Sequence, residues 1–433
     1  MNSSVQKQER SRGTEGANHR ANHRTNRVSS IDRLVAAKEI VVACGPGGVG
    51  KTTIAASIAT MAALKHPGRV LVLTVDPARR LADALGLKSI GNEEVRIDDS
   101  VFASVSGDLL GDLSGGVSGD LSGGVSGGVS GDVGVTPRGE LWAAMLDTKQ
   151  SWDALVRRHA PDDQTYEKIL ANPLYKNISS RFVQSHDYIA MERLFEIHSE
   201  GKYDLIVVDT PPTRNALDFL DAPQRLADFF SSRLLRWIIV PYRSRLVNFA
   251  SKPFYQVADR ILGTQFLSDI AEFFILFQSM YDGFVERADS VSRLLMDRRT
   301  TFLVVSTLEA TPAREAKFFA EELIERKLHL GAVILNKVLP EYFLDRDSKL
   351  VAETLKREAR ALSEEILDEP DTLERIFTEV AESFLNFEMV ALRESEQRSE
   401  LSVSPEVLVS VPYFDTDISD MSGLVQLGEK VWD

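Results

Sequence analysis

Apolar residues fall along this chain in two periodicities. Short continuous runs occur at Ile40 to Ala43, Arg69 to Val75 (RVLVLTV), Glu140 to Asp147 (ELWAAMLD), Tyr203 to Asp209 (YDLIVVD), Thr301 to Ser306 (TFLVVS), Gly331 to Leu335 (GAVIL) and Glu406 to Val411. Apolar runs of this length, rich in branched side chains, read as strands, those at Ile40, Arg69, Thr301 and Gly331 as buried ones. Between them the period becomes helical: the Ala-rich string IAASIATMAALK from Ile54, polar helices up to about Glu200, a helix over about Thr311 to Leu328, helices from about Arg346 to Arg398, and a closing helix from Ile418. From about Leu220 to Leu295 the chain is helical and apolar. There Leu262, Phe266, Ile270, Phe273, Phe277, Met280, Phe284, Ala288, Val291 and Leu295 are spaced by threes and fours, as on one long helical face. Phe274, Ile275 and Leu276 lie off that stripe, so this helix is expected to be sandwiched within the protein rather than to offer a surface to a greasy ligand. The two strands flanking the Ala-rich helix should run parallel with a right-handed crossover. The expected fold class is α/β, a doubly wound, mostly parallel sheet with an inserted helical subdomain formed from about 148–200 and 214–297.

Two segments fall outside this pattern. Residues 1–34 form an N-terminal tail without apolar period; up to Arg33, seven basic residues face three acids, which reads as disorder. Residues 106–136 are a low-complexity repeat of Ser, Gly, Val and Asp. Ordering it would cost backbone entropy and bury little, so it reads as a flexible insert. A calcium-binding roll would want G-G-x-G-x-D, whereas this segment runs Gly-Gly-Val-Ser-Gly-Asp.

Composition narrows the function. With 43% hydrophobic residues a sizeable core is available, and a formal net charge of −14 argues against nucleic acid as a partner. The single cysteine, Cys44, excludes an internal disulfide and a Cys-rich metal site, and a reducing cytoplasm is the simplest setting. No apolar run approaches the ~20 residues that span a bilayer, so the chain is expected to be soluble or peripheral to the membrane.

The chemistry concentrates after the first strand. Gly45-Pro46-Gly47-Gly48-Val49-Gly50-Lys51-Thr52-Thr53 contains G-x-x-x-x-G-K-[ST] between a strand and a helix. Glycines let the backbone curl with its amides inward, the helix N-terminus adds unpaired N–H groups, and Lys51 adds a cation, so an oxygen-rich phosphate is the natural guest. Thr52 would ligate Mg²⁺. The same letters fit G-x-G-x-x-G, with Asp76 placed as a ribose-binding acid. The Lys51-Thr52 pair decides for a triphosphate, because a dinucleotide turn needs neither a cation nor a hydroxyl there. Asp76, closing the second strand, comes to the same sheet edge. There it can orient or deprotonate an attacking water, or cap the following helix. Asp209-Thr210 matches the second phosphate-site strand of P-loop enzymes, whose Asp holds Mg²⁺ directly or through water. Asn336-Lys337 is similar to the start of the base-reading N-K-x-D of GTPases, but Leu339 stands where the acid would accept from guanine, so adenine is preferred.

Together these blocks resemble the ArsA family of P-loop ATPases, which includes the arsenite-pump ATPase and the ATPases that target tail-anchored membrane proteins. GPGGVGKTT is similar to the family's phosphate loop, DPARRLAD to its switch I block, DTPPTRNALDFL to its switch II block, and Thr307 to Glu315 with Asn336 to its nucleoside-binding part. The resemblance covers most of 35–433 and implies Mg²⁺-dependent hydrolysis of ATP. It implies that Gly47, Gly48, Val49, Gly50, Lys51, Thr52 and Thr53 hold the phosphates, that Asp76 positions the hydrolytic water, and that Glu309 and Asn336 contact the nucleotide, Asn336 on the base. A homodimer, or a heterodimer with a related ATPase, and a hydrophobic protein client or membrane partner are also implied. Alternatives are the energising subunit of a membrane transport complex and a regulatory switch with little turnover. Two departures matter. Pro46 replaces the family's signature lysine, for which Arg79, Arg80 or Arg214 are candidates to compensate. The paired cysteines that bind arsenite or zinc are missing, which argues against an arsenite pump and a zinc-clasped dimer.

Overall fold

A computed structural model describes residues 30–75, 79–88, 90–105, 135–181, 183–211, 228, 264–278, 281–366, 370–401 and 405–432. Within them β1 (Ile40–Cys44), β2 (Arg69–Thr74), β3 (Val95–Arg96), β4 (Glu140–Met145), β5 (Leu205–Asp209), β6 (Thr300–Ser306), β7 (Leu330–Val338) and β8 (Val407–Pro412) form one sheet. Its spatial order is β3-β4-β2-β5-β1-β6-β7-β8. Every neighbouring pair is parallel except β3–β4. The chain moves outward from β1 to β2 and β4 on one side, then returns through β5 to build β6, β7 and β8 on the other. The direction of winding therefore reverses beside β1, and in open sheets of this kind ligands bind at the carboxyl ends of the strands at that point.

The flanking helices are α1 (Ser30–Ala36), α2 (Lys51–Lys65), α3 (Arg79–Ala84), α4 (Thr148–His159), α5 (Asp163–Ala171), α6 (Pro173–Arg181), α7 (Val183–Ser199), α8 (Thr264–Gln278), α9 (Tyr281–Met296), α10 (Ala310–Glu325), α11 (Arg346–Ile366), α12 (Pro370–Glu400) and α13 (Met421–Trp432). Successive strand side chains point to opposite faces, so each continuous apolar run serves two cores. Ile40, Val42, Ile206, Val208, Val304 and Val333 pack with residues of α4 to α10. Val41, Ala43, Val207, Leu303, Val305 and Ile334 pack with α1, α2 and α13. Helix α2 lies between the sheet and α13, which is why it has no polar face. Ser57 Oγ donates to Leu424 O at 2.8 Å, and a Cβ added at Gly428 would stand 2.2 Å from Met61 Cγ. The alanines and that glycine set the close approach of the two helices.

Three expectations change. The end of the N-terminal tail is ordered: α1 buries Ile31, Leu34 and Val35, and Asp32 accepts from Trp432 Nε1 at 3.0 Å. The two-residue edge strand β3 has no apolar run to announce it; Val95 and Arg96 are both exposed and pair with Ala143 and Trp142. The described part of the apolar stripe is carried by two helices, α8 packing on α5 and α6, and α9 on α7 and β6, while Leu262 and Met280 lie outside the described residues, as do the side chains of Phe266 and Phe284. Phe273, Phe274 and Phe277 are buried as a sandwiched helix requires. The Gly/Ser-rich stretch 106–134 and the apolar stretch 229–263 lie outside the described residues. Within the helical layer, Arg287 of α9 pairs with the buried Glu192 of α7 and lies over the Phe195 ring, 4.6 Å from its centroid. Helices α11 and α12 form an antiparallel hairpin between β7 and β8, pinned by Lys349 Nζ to Glu388 Oε1 at 2.7 Å.

Candidate functional site

The loop after β1 is shaped by positions that only glycine fills. Gly45 has φ 141°, and a Cβ there would lie 2.1 Å from Val305 O on the adjoining strand. Gly50, at φ 96°, immediately precedes α2. A Cβ on it would lie 2.5 Å from Asn336 Nδ2, while at Gly48 nothing stands within 4 Å, so the loop is open outward. Helix α2 therefore begins without a side-chain cap, its first N–H groups facing the curl of the loop.

Charged and hydroxyl groups converge on this curl. Lys51 is buried and its Nζ donates to Pro46 O at 2.7 Å, closing the loop across its mouth. Thr52 Oγ1 donates to Asp209 Oδ2 at 2.7 Å, and Thr74 Oγ1 to the same oxygen at 3.1 Å. Asp209 is 1% exposed. It reaches this position because β5 lies between β1 and β2, and Val75 N donates to Asp209 O at 3.1 Å. Thr210 Oγ1 donates to Ala43 O at 2.9 Å and fixes the turn after β5 against β1. One buried carboxylate beside one hydroxyl fits Mg²⁺ well, because this ion keeps several waters and takes one or two protein ligands plus phosphate. Among the described residues no group of three or more His, Cys, Asp or Glu could hold a metal. Cys44 takes no part: burial pushes its thiol up, although Lys51 pulls the other way, and its Sγ donates to Leu303 O at 3.2 Å.

On the far side of β1 the loop is joined to β7. Asn336 is buried, its Nδ2 donates to Val49 O at 2.8 Å and its Oδ1 accepts from Lys337 N at 3.0 Å. Lys337 has φ 59°, which turns the chain sharply at this point. Glu309 is exposed at the N-terminus of α10 after β6. Glu394, which the sequence pattern did not single out, arrives from α12 and its Oε2 accepts from Leu339 N at 3.0 Å. Burial pushes the Glu394 carboxyl up, the Leu339 N–H partly offsets this, and the nearby charge of Glu309 adds to it. The signal that could have found Glu394 was its charge on an otherwise helix-packing register, which is weak.

The structure thus brings Gly47, Gly48, Val49, Gly50, Lys51, Thr52, Thr53, Asp209 and Asn336 to one edge of the sheet, with Glu309 at its rim. Asp76 and Arg214 lie outside the described residues, as do the side chains of Arg79 and Arg80.

A family described as anion-transporting ATPase matches residues 38–105 and 140–374. The chain is 24% identical over 373 residues to an ATPase ASNA1 homolog of Paramecium tetraurelia, covering 86% of this chain and 93% of the relative. It is 25% identical over 318 residues to an ATPase GET3 of Scheffersomyces stipitis, covering 70% and 73%. A putative arsenical pump-driving ATPase of Chlorobaculum tepidum is 25% identical over 232 residues, covering 51% and 43%.

Proposed function

The chain belongs to the ArsA family of anion-transporting ATPases and is an ATP hydrolase, and we propose that its Lys51 loop, Thr52, Asp76 and Asp209 carry that hydrolysis with magnesium. The observation that supports this most is the 2.7 Å bond from Thr52 Oγ1 to Asp209 Oδ2, which joins a helix N-terminus to a strand 157 residues away at the mouth of a glycine loop. In this reading the N–H groups of Gly47 to Thr53 bind the β- and γ-phosphates, and Lys51 exchanges Pro46 O for a phosphate oxygen. Thr52 and Asp209 hold the ion. When bound by Thr52 and Asp209, Mg²⁺ would neutralise negative charge on the triphosphate. Asp76, directly after the Val75 that pairs with Asp209, orients the attacking water and takes its proton. Asn336 and Glu309 position the nucleoside. Arg79, Arg80 or Arg214 supplies the positive charge that Pro46 does not.

What the cycle drives is a hydrophobic protein client or a membrane partner, handled by the helices on either side of β5 in a dimer. Phe273, Phe274 and Phe277 are buried, so they are not the client surface. No helix among the described residues is long and apolar enough to cross a membrane. A second reading, a nucleotide-held switch with slow turnover, is favoured by one observation. The Lys51 ammonium is engaged by Pro46 O at the position where a second lysine is expected, leaving one loop cation for the phosphates. Steady-state turnover separates the readings. Wild type should release phosphate with Mg-ATP, Lys51→Ala should lose binding or turnover, and Asp76→Asn should turn over at least about 100-fold slower with binding intact. Equal rates in all three would contradict the site, and tight binding by wild type with negligible turnover would select the switch.

A further inference from the structure

We propose that Glu394 is a base-reading carboxylate of the nucleotide site and that it admits guanine nucleotides beside adenine nucleotides. The inference rests on the reading of the Lys51 loop as the triphosphate site. Along the sequence, the third residue after Asn336 is Leu339, which has no acid to offer a base. In space the acid is present. Glu394, 55 residues further on, places Oε2 3.0 Å from the backbone N of Leu339 itself. Helix α12 thus delivers a carboxylate to the residue whose side chain lacks one.

The base belongs at this edge because of how the loops are joined. The phosphate loop sits on β1, with β5 and Asp209 on one side and β6 then β7 on the other. Asn336 Nδ2 to Val49 O, at 2.8 Å, holds the turn after β7 against the phosphate loop, so a nucleoside leaving that loop away from Asp209 passes over Asn336 to Leu339. Glu394 is fixed in place from behind, since Ala391 and Glu388, one and two turns earlier in α12, are buried against the hairpin and Glu388 is paired with Lys349. Its carboxylate spends one oxygen on Leu339 N, and the other makes no hydrogen bond among the described residues. An ionised carboxylate has about four lone-pair sites and no donor. Guanine offers it two parallel donors, N1–H and the 2-amino group. Adenine offers one donor, the 6-amino group, beside the N1 lone pair. A carboxylate at this edge is the group that makes guanine acceptable, and half-burial next to Glu309 raises the value of a donor pair that satisfies it.

The test is equilibrium binding of Mg-ATP and Mg-GTP to the full chain and to Glu394→Gln, with the melting temperature of each without nucleotide. Gln keeps an acceptor for Leu339 N and replaces the second oxygen by a donor. Wild type should bind the two nucleotides within about tenfold of each other. Glu394→Gln should lose about 10- to 100-fold for GTP, the range for hydrogen bonds to a charged group, and less than about threefold for ATP. Inosine triphosphate, which lacks the 2-amino group, should bind wild type about tenfold more weakly than GTP, a comparison that needs no variant. Wild type binding ATP but GTP more than about 100-fold more weakly, or Glu394→Gln weakening both equally, would overturn the proposal and leave the Lys51 site standing. Failure of wild type to bind either nucleotide would remove the site itself.

Discussion

Gly45 shows how narrow the tolerances around the phosphate loop are. Its φ of 141° is costly for any L side chain, and the atom a Cβ would strike, Val305 O at 2.1 Å, is backbone within the central sheet and cannot rotate away. Gly45→Ala is therefore expected to destabilise by at least about 1–3 kcal/mol, seen as a lower urea midpoint, and to weaken nucleotide binding further by tilting the loop. Gly48→Ala meets nothing within 4 Å and pays only for its φ of 79°, so it should be the milder of the two. Glu394 carries a prediction in pH. Burial, and to a lesser extent Glu309, hold its folded pKa above the unfolded value, with Leu339 N–H opposing. Its contribution to stability is then fully present below the unfolded pKa and is lost as pH rises through the folded one. Glu394→Gln cannot ionise, so the variant should gain stability relative to wild type as pH rises across that window and hold a constant difference above it. Chemical denaturation at a series of pH values checks this, and a difference independent of pH would contradict it.

At the scale of elements, one buried ion pair ties two helices of the helical layer together. Glu192 of α7 is 3% exposed and is answered by Arg287 of α9. Removing one partner of such a pair leaves a buried charge, so Arg287→Ala should cost about 3–5 kcal/mol, whereas Arg287→Met with Glu192→Gln should cost much less. A double-mutant cycle on thermal or urea unfolding reads the coupling. On the other face, Gly428→Val would push a branched side chain against Met61 and Ser57 and should cost about 1–3 kcal/mol in overpacking, more than the roughly 0.3 kcal/mol it gains in helix propensity over glycine. These elements differ in how readable they are. The seven longer strands were legible because a sheet covered on both faces needs continuous apolar runs, and all seven end within three residues of where the run does, including the partly exposed edge strand β8. β3 was not legible, because two exposed residues held by backbone pairing leave no trace in hydropathy. Helix α1 was hidden by the basic segment before it, and its ordering comes from Asp32 meeting Trp432 at the opposite end of the chain. In the site, the Lys51 loop and Asp209 announce themselves by local spacing. Glu394 does not, because its contact with Leu339 depends on how the α11–α12 hairpin folds back, and no local pattern encodes that.

Over the whole molecule, the sheet order explains why residues as far apart as 52, 209 and 336 meet: β5, which carries Asp209, lies beside β1, and Asn336 of β7, one strand beyond β6, reaches the loop after β1 through Val49 O. Nucleotide should therefore stabilise the entire fold by linkage rather than one loop. At about 100 times the dissociation constant, Mg-ATP should add about 2.7 kcal/mol to wild type and nothing to Lys51→Ala. The most direct measurement is isothermal titration calorimetry of ATP into the full chain, with and without magnesium, for wild type, Thr52→Ala and Asp209→Asn. If Thr52 and Asp209 hold the ion against the phosphates, wild type binds far more tightly with magnesium than without it, and both variants lose most of that difference. If ATP gives no heat with magnesium present, or if both variants keep the full magnesium effect, then the pairing of Thr52 with Asp209 is structural and the site lies elsewhere.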